Sequence, residues 1–196
     1  MRNVTRLVVS VAAIVLISAT FANAAPSPIM VSIKGTKQGQ FKGESPRQSA
    51  QDKVEALSFS FEVASPRDAA TGLASGKRTY KPLQITKQIG ASSPQLFQAL
   101  TTNEVLKTVT LEFMKTNPSG EEYVYYTIKL TNATIASLRQ HTAGDDGTGG
   151  TGGTGGSKSA SAADTLQLED VSFSFQKIEI ESKDGKTMAV DDWHAK

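Results

Sequence analysis

The chain has 196 residues, with 21 Lys plus Arg against 19 Asp plus Glu, two histidines and no cysteine. The lack of thiols excludes cysteine nucleophiles and cysteine-ligated zinc. His141 and His194 stand far apart, so no histidine pair falls at metal-ligand spacing. A formal charge of +2 is too small for the basic footprint of a nucleic-acid binder.

The N-terminal segment, residues 1–24, reads MRNVTRLVVSVAAIVLISATFANA. Arg2 and Arg6 flank the start of an apolar run from Leu7 to Ala19, and Ala22-Asn23-Ala24 supplies a small-x-small cleavage site. These are the three regions of a secretory signal peptide. The run is shorter than the ~20 residues that span a bilayer. The sequence therefore predicts export to the periplasm or the exterior, with no stable membrane anchor after cleavage. No cysteine follows the run, which excludes lipid anchoring. Loss of Arg2 and Arg6 lowers Lys plus Arg from 21 to 19, equal to the 19 acidic residues. A formally neutral surface tolerates self-association.

Strand signals dominate residues 25–196. Ile29, Val31 and Ile33 alternate with polar residues. In LSFSFEV, Leu57, Phe59, Phe61 and Val63 share one face, which predicts a strand burying that face. Val109, Leu111 and Phe113 repeat the pattern. Val124, Tyr126, Ile128 and Leu130 do so again, with Tyr123 and Tyr125 on the opposite side. VSFSFQKIEI places Val171, Phe173 and Phe175 on one parity and Ile178 and Ile180 on the other, so a bulge or bend is expected near Gln176-Lys177. Met188–Val190 closes the pattern.

Between the strands, TGLASGKRT at Thr71–Thr79 approaches a phosphate-binding loop. That motif needs Gly, four residues, then Gly-Lys-Ser/Thr. Here Thr71 stands where the first glycine belongs and Arg78 where the magnesium-binding hydroxyl belongs. Pro82 follows where the motif needs a helix. Nucleotide binding is not expected. One helix is predicted after Ser92-Ser93-Pro94, with Ser93 as N-cap, Pro94 at the first helical position, and Leu96, Phe97 and Leu100 as its apolar stripe. Pro118 and Gly120 mark a hairpin turn. Residues 144–156, GDDGTGGTGGTGG, contain no apolar side chain and read as a flexible loop within one domain. The sum is a mainly β fold: a β-barrel of two packed antiparallel sheets with one flanking α-helix.

Enzymatic signals are weak. There is no Gly-x-Ser-x-Gly elbow. The adjacent carboxylates Glu121-Glu122 and Asp191-Asp192 would point to opposite faces of a strand, so neither makes an acid–base dyad. Thus no catalytic, cofactor or metal residues are expected, and His194 reads as a solvated tail residue.

Several segments carry a more specific signal: KGESPRQS at 42–49, LSFSFEVASPRDAATGLASGKRTYKPLQITK at 57–87, SSPQLFQAL at 92–100, YYTIKLTNATIASL at 125–138, VSFSFQKIEI at 171–180 and DDW at 191–193. Their order and spacing resemble the haemolysin-coregulated protein family, Hcp, the tube subunit of type VI secretion systems. The resemblance implies a homohexameric ring that stacks into a tube, a lumen able to carry effector proteins, and no enzymatic activity or cofactor. It also implies an extended assembly loop at residues 64–82. Pro66, Gly72 and Gly76 break regular structure there, and Arg67, Asp68, Lys77 and Arg78 offer charged contacts to a neighbour. The signal peptide and the glycine-rich insertion depart from the family pattern. They leave a second reading open, an exported Hcp-like binding module acting outside a type VI apparatus.

Overall fold

The computed structural model of the protein describes residues 29–45, 47, 50, 52–142 and 166–193. The expected signal peptide 1–24, the glycine-rich loop 144–156 and His194 lie outside them. In chain order the elements are β1 (Ile29–Gly35), β2 (Val54–Ser60), β3 (Val63–Ala64), β4 (Thr79–Tyr80), β5 (Leu83–Gln88), α1 (Ser93–Thr101), β6 (Leu106–Thr116), β7 (Glu122–Thr142), β8 (Gln167–Ser174), β9 (Lys177–Ser182) and β10 (Thr187–Asp192).

All strands but β3 and β4 form one antiparallel sheet in the order β10-β9-β7-β6-β1-β2-β5-β8, and a further pairing of β7 with β8 closes it. The expected barrel is thus a ring of β7, β6, β1, β2, β5 and β8, with β9 and β10 extending from it. Register explains why it packs. Ile33 stands beside Val109 in β6, and Val109 beside Leu130 in β7. Val31, Leu111 and Ile128 form the next row. Each of these side chains is essentially solvent-free. Burial of each such side chain stabilises the fold by roughly 1.5–3 kcal/mol.

β7 is long because one edge serves two strands. Tyr126–Thr131 pair with β9, and Thr134–Thr142 pair with β8. The chain bends between β8 and β9 at Phe175-Gln176, next to the expected site, and the inward parity moves from Val171 and Phe173 to Ile178. Opposite the bend, Asn132 takes φ 49° and its Nδ2 donates to Gln176 Oε1 at 2.9 Å. Asparagine is one of the few residues that adopts this left-handed conformation readily.

Two expectations need correction. In β2 the buried positions are Val54 and Ala56, while Leu57 and Val63 are about half exposed. A register shift against β5 between Ala56 and Ser58 resets the parity. Phe59 and Phe61 then lie at one end of the barrel, where Phe59 meets Phe113 edge-on at 4.8 Å. In α1, Ser92 is the N-cap and Ser93 is already helical. Leu96 and Ala99 face the core with Leu100 beside them, whereas Phe97 is 58% exposed. Phe97 lies one residue, about 100° of helix rotation, from Leu96, and the surface beneath α1 admits only the Leu96–Ala99–Leu100 side.

The helix closes the opposite barrel end, after β5 and before β6. The hairpin of β6 and β7 turns at Gly120, φ 85°, with Asn117 Oδ1 accepting from the Ser119 and Glu121 amides.

Candidate assembly site

The segment between β2 and β5 is an ordered two-stranded arm. Its base pairs Val63 with Tyr80 and Ala64 with Thr79. Higher up, Arg67 bridges to Ala74, and the Ser75 amide donates to Pro66 O at 3.0 Å. At the tip, the Asp68 amide donates to Leu73 O and the Gly72 amide to Asp68 O, both at 2.9 Å. Gly72 has φ 69°, a conformation that favours glycine. Asp68 Oδ1 accepts from the Ala70 amide at 3.0 Å, the Thr71 amide at 2.8 Å and the Thr71 hydroxyl at 2.9 Å. The Thr71 bonds, foremost, hold the Asp68 carboxyl below the usual range.

In the stretch that approaches a phosphate-binding loop, the Ala70 and Thr71 amides are taken by the arm's own Asp68 carboxylate, the Gly72 amide by the Asp68 carbonyl, and a strand, β4, rather than a helix follows.

The seven expected assembly residues all fall on the arm, with different duties. Pro66 and Gly76 face each other across it. Gly72 and Asp68 shape the tip. Arg67 lies along it, with Nη1 donating to Gly72 O at 3.3 Å. Lys77 is exposed. Arg78 is engaged within its own chain: its guanidinium forks onto the Asp191 carboxylate of β10, Nη2 also donates to Asp192 O at 3.3 Å, and the Tyr80 hydroxyl donates to Asp191. Desolvation pushes the Asp191 carboxyl up, but the Arg78 and Tyr80 bonds outweigh it and hold it below the usual range. Arg78 is therefore the clamp at the arm's base.

Around that base lies an aromatic cluster. Tyr80 stacks on Phe61 at 6.0 Å and meets Phe175 and Trp193 at 5.5 Å each. It borders a cleft of about 210 Å³ with Lys81, Pro82 and Ser174, and a second of about 130 Å³ between Phe61, Val63, Ile180 and Val190. β10 forms the edge of the sheet, with Met188 63% and Val190 52% exposed. An exposed apolar edge strand is a template for pairing with another chain.

Sequence reasoning missed one cluster. Lys87 and Glu169, both wholly buried, pair at 2.9 Å, and Lys87 Nζ also reaches Glu44 at 2.8 Å. Ser93 Oγ donates to Glu169 at 2.7 Å, and Gln140 donates to its other oxygen at 3.1 Å. The signal was parity: Lys87 continues the inward face of Leu83 and Ile85, and Glu169 that of Val171 and Phe173.

The adjacent carboxylates are engaged in local bonds. Glu122 bonds Arg47 at 2.5 Å and Glu121 accepts from Asn117 Nδ2 at 3.2 Å. Asp191 is held by Arg78. Among the described residues no helix is long and apolar enough to cross a membrane.

A closed β-barrel capped by one helix, with an ordered arm and an apolar edge strand, defines a small β-barrel protein built to present an arm and an edge. Residues 31–181 match the family described as type VI secretion system effector, Hcp, and the chain belongs to that family. It is 32% identical over 180 residues to the "Major exported protein" of Pseudomonas aeruginosa, covering 86% of this chain and 96% of that one. Among solved structures, it resembles one described as "Crystal structure of Hcp protein" with TM-score 0.71 and 27% identity, over 85% of this chain and 99% of the other. It also resembles the Hcp1 protein of E. coli EAEC 042, with TM-score 0.70 and 26% identity over the same shares.

Proposed function

We propose that the chain is an exported, non-enzymatic structural subunit that assembles into homohexameric rings. Rings stack through the arm, and their lumen accommodates effector proteins. The observation that carries this reading is the edge strand β10, whose Met188 and Val190 are exposed beside the apolar cleft formed with the arm's base. Burial of this strip against another copy removes it from water and satisfies the strand edge.

Light scattering after size-exclusion chromatography on the chain starting at Ala25 tests it. A hexamer is expected, and Val190→Asp should shift it to monomer without unfolding the barrel. A parent chain that stays monomeric at high concentration overturns the assembly reading. That outcome would favour a second one, an exported binding module using the two clefts at the arm's base.

A further inference from the structure

Tyr80, Lys81, Pro82, Ser174, Phe175 and Trp193 line the cleft of about 210 Å³ at the arm's base. Tyr80 stands 5.5 Å from Phe175 and from Trp193, and Trp193 is 53% exposed. The charges nearby are already paired. Lys81 holds Glu62 at 2.8 Å, and Arg78 and the Tyr80 hydroxyl both bond Asp191. What remains is a set of flat rings, one proline and two donors, the Trp193 indole N–H and the Ser174 hydroxyl, that are unengaged among the described residues. Aromatic grooves of this kind take proline in the polyproline II conformation. Its rings pack on the aromatic faces, and its carbonyls, unpaired within the helix, accept hydrogen bonds.

The chain holds one segment with that chemistry. Of its seven prolines, only Pro26 and Pro28 lie within three residues of each other, in Ala25-Pro26-Ser27-Pro28 directly before β1. A polyproline II helix has three residues per turn, so there the two prolines would occupy two adjacent edges and Ser27 the third. Such a prism rests on a surface by its two proline edges, with the hydroxyl outward. The chain's own cleft is out of reach. Ile29 pairs with Ala56, and Ala56 with Lys87, which lies five residues beyond Pro82. Pro82 is therefore about 16 Å away along the strands and about 10 Å across them, whereas Pro26 extends at most about 10 Å from Ile29. A second copy is placed to supply the segment. In the six-strand ring β1 lies directly opposite β8, whose end carries Ser174 and Phe175. Segment and cleft thus sit on opposite sides of one barrel, as the two different faces of a head-to-tail ring contact must. Tyr80 also lines the second cleft, beside Val190 of β10, so the receiving surface is continuous with the edge strand.

We infer that the proline segment at residues 26–28 of one copy is a strap that docks in the arm-base cleft of a second copy, its rings against Tyr80, Phe175 and Trp193. The inference rests on the assembly reading, since it needs a second copy, and adds to the edge strand a contact of different chemistry.

The test follows the chain starting at Ala25 at pH 7 over a dilution series, by the emission of Trp193, its sole tryptophan, and by sedimentation velocity. Emission should shift to the blue as copies associate. Pro26→Ser with Pro28→Ser should remove that shift and raise the concentration at which copies separate at least about tenfold, as the loss of an interface anchor does. Trp193→Ala should weaken association to the same degree, and the triple variant no further, because both sides of one contact are then gone. If the proline variant associates as tightly as the parent, the strap is overturned while the assembly stands. A blue shift that accompanies association but ignores the prolines means that another surface fills the cleft, which also refutes the strap. A proline-dependent shift that persists in diluted monomers means that the segment docks on its own chain, against the inference. If the parent never associates, the strap and the assembly reading fall together.

Discussion

Replacing Lys87 by methionine probes the charge buried in the barrel wall. Lys87 and Glu169 are both fully buried, 2.9 Å apart, and Lys87 is the ammonium that also contacts Glu44. Lys87→Met keeps the chain length and removes the charge. Glu169 retains the Ser93 hydroxyl and the Gln140 amide but loses its counter-ion. Breaking one side of a buried pair costs about 3–5 kcal/mol, because the remaining charge is stranded in low dielectric. With an m-value of about 2 kcal/mol/M in urea, the unfolding midpoint should fall by roughly 1.5–2.5 M. The measurement is equilibrium urea unfolding at one fixed protein concentration, since association itself adds stability. Lys87→Met with Glu169→Leu removes both charges and should recover at least half of the loss. A single variant within about 1 kcal/mol of the parent would refute the reasoning, as would a double variant no better than the single one.

Three other outcomes are expected. Gly35→Ala should cost about 2–4 kcal/mol in thermal unfolding: the new Cβ would sit 2.3 Å from Glu104 Oε1, displacing the carboxylate that accepts the Lys37 amide at 2.6 Å and the Gln38 amide at 2.9 Å. An unchanged midpoint would contradict that packing. Asp191 is depressed in the folded state, so its clamp on Arg78 contributes fully above the ordinary carboxylate value of ~3.9 and is lost as pH falls through the lower folded value. Trp193 is the sole tryptophan and lies 5.5 Å from Tyr80, so its fluorescence should change at acidic pH, and Asp191→Asn should show that change at pH 7. A spectrum flat in both experiments would dismiss the clamp. Finally, replacing residues 64–82 by a short turn should leave the barrel folded by circular dichroism and reduce ring stacking. Undiminished stacking would remove the arm from the assembly.

The fold was legible where one physical pattern dominated a segment. Period-two burial found β1, β6, β7 and β8, and the change of parity after Phe175 located the bend that lets β9 leave the barrel. Closure was not legible from spacing, because pairing β7 with β6, β8 and β9 joins distant residues. β2 misled because Leu57, Phe59, Phe61 and Val63 alternate perfectly, while the bulge that resets them depends on pairing with β5. Phe97 misled because hydrophobicity alone does not say which side of a helix has a surface beneath it. Arg78 read as a free cation of the arm, since its partner Asp191 lies 113 residues away. Lys87 and Glu169 drew no reading from the sequence, although both continue the inward parity of their strands.

The arm's internal bonding changes what a stacking contact has to achieve. Each residue held slack until docking would lose about 1–2 kcal/mol of backbone freedom at that moment. From Val63 to Tyr80 the freedom is surrendered during folding instead, to the strand pairs at the base, the Asp68 knot at the tip and the Arg78 fork on β10. A contact made by such a preorganised limb keeps nearly all of its gross interaction energy. In the proposed stack, small surfaces then suffice to join one barrel to the next, and such joints can part again without unfolding either.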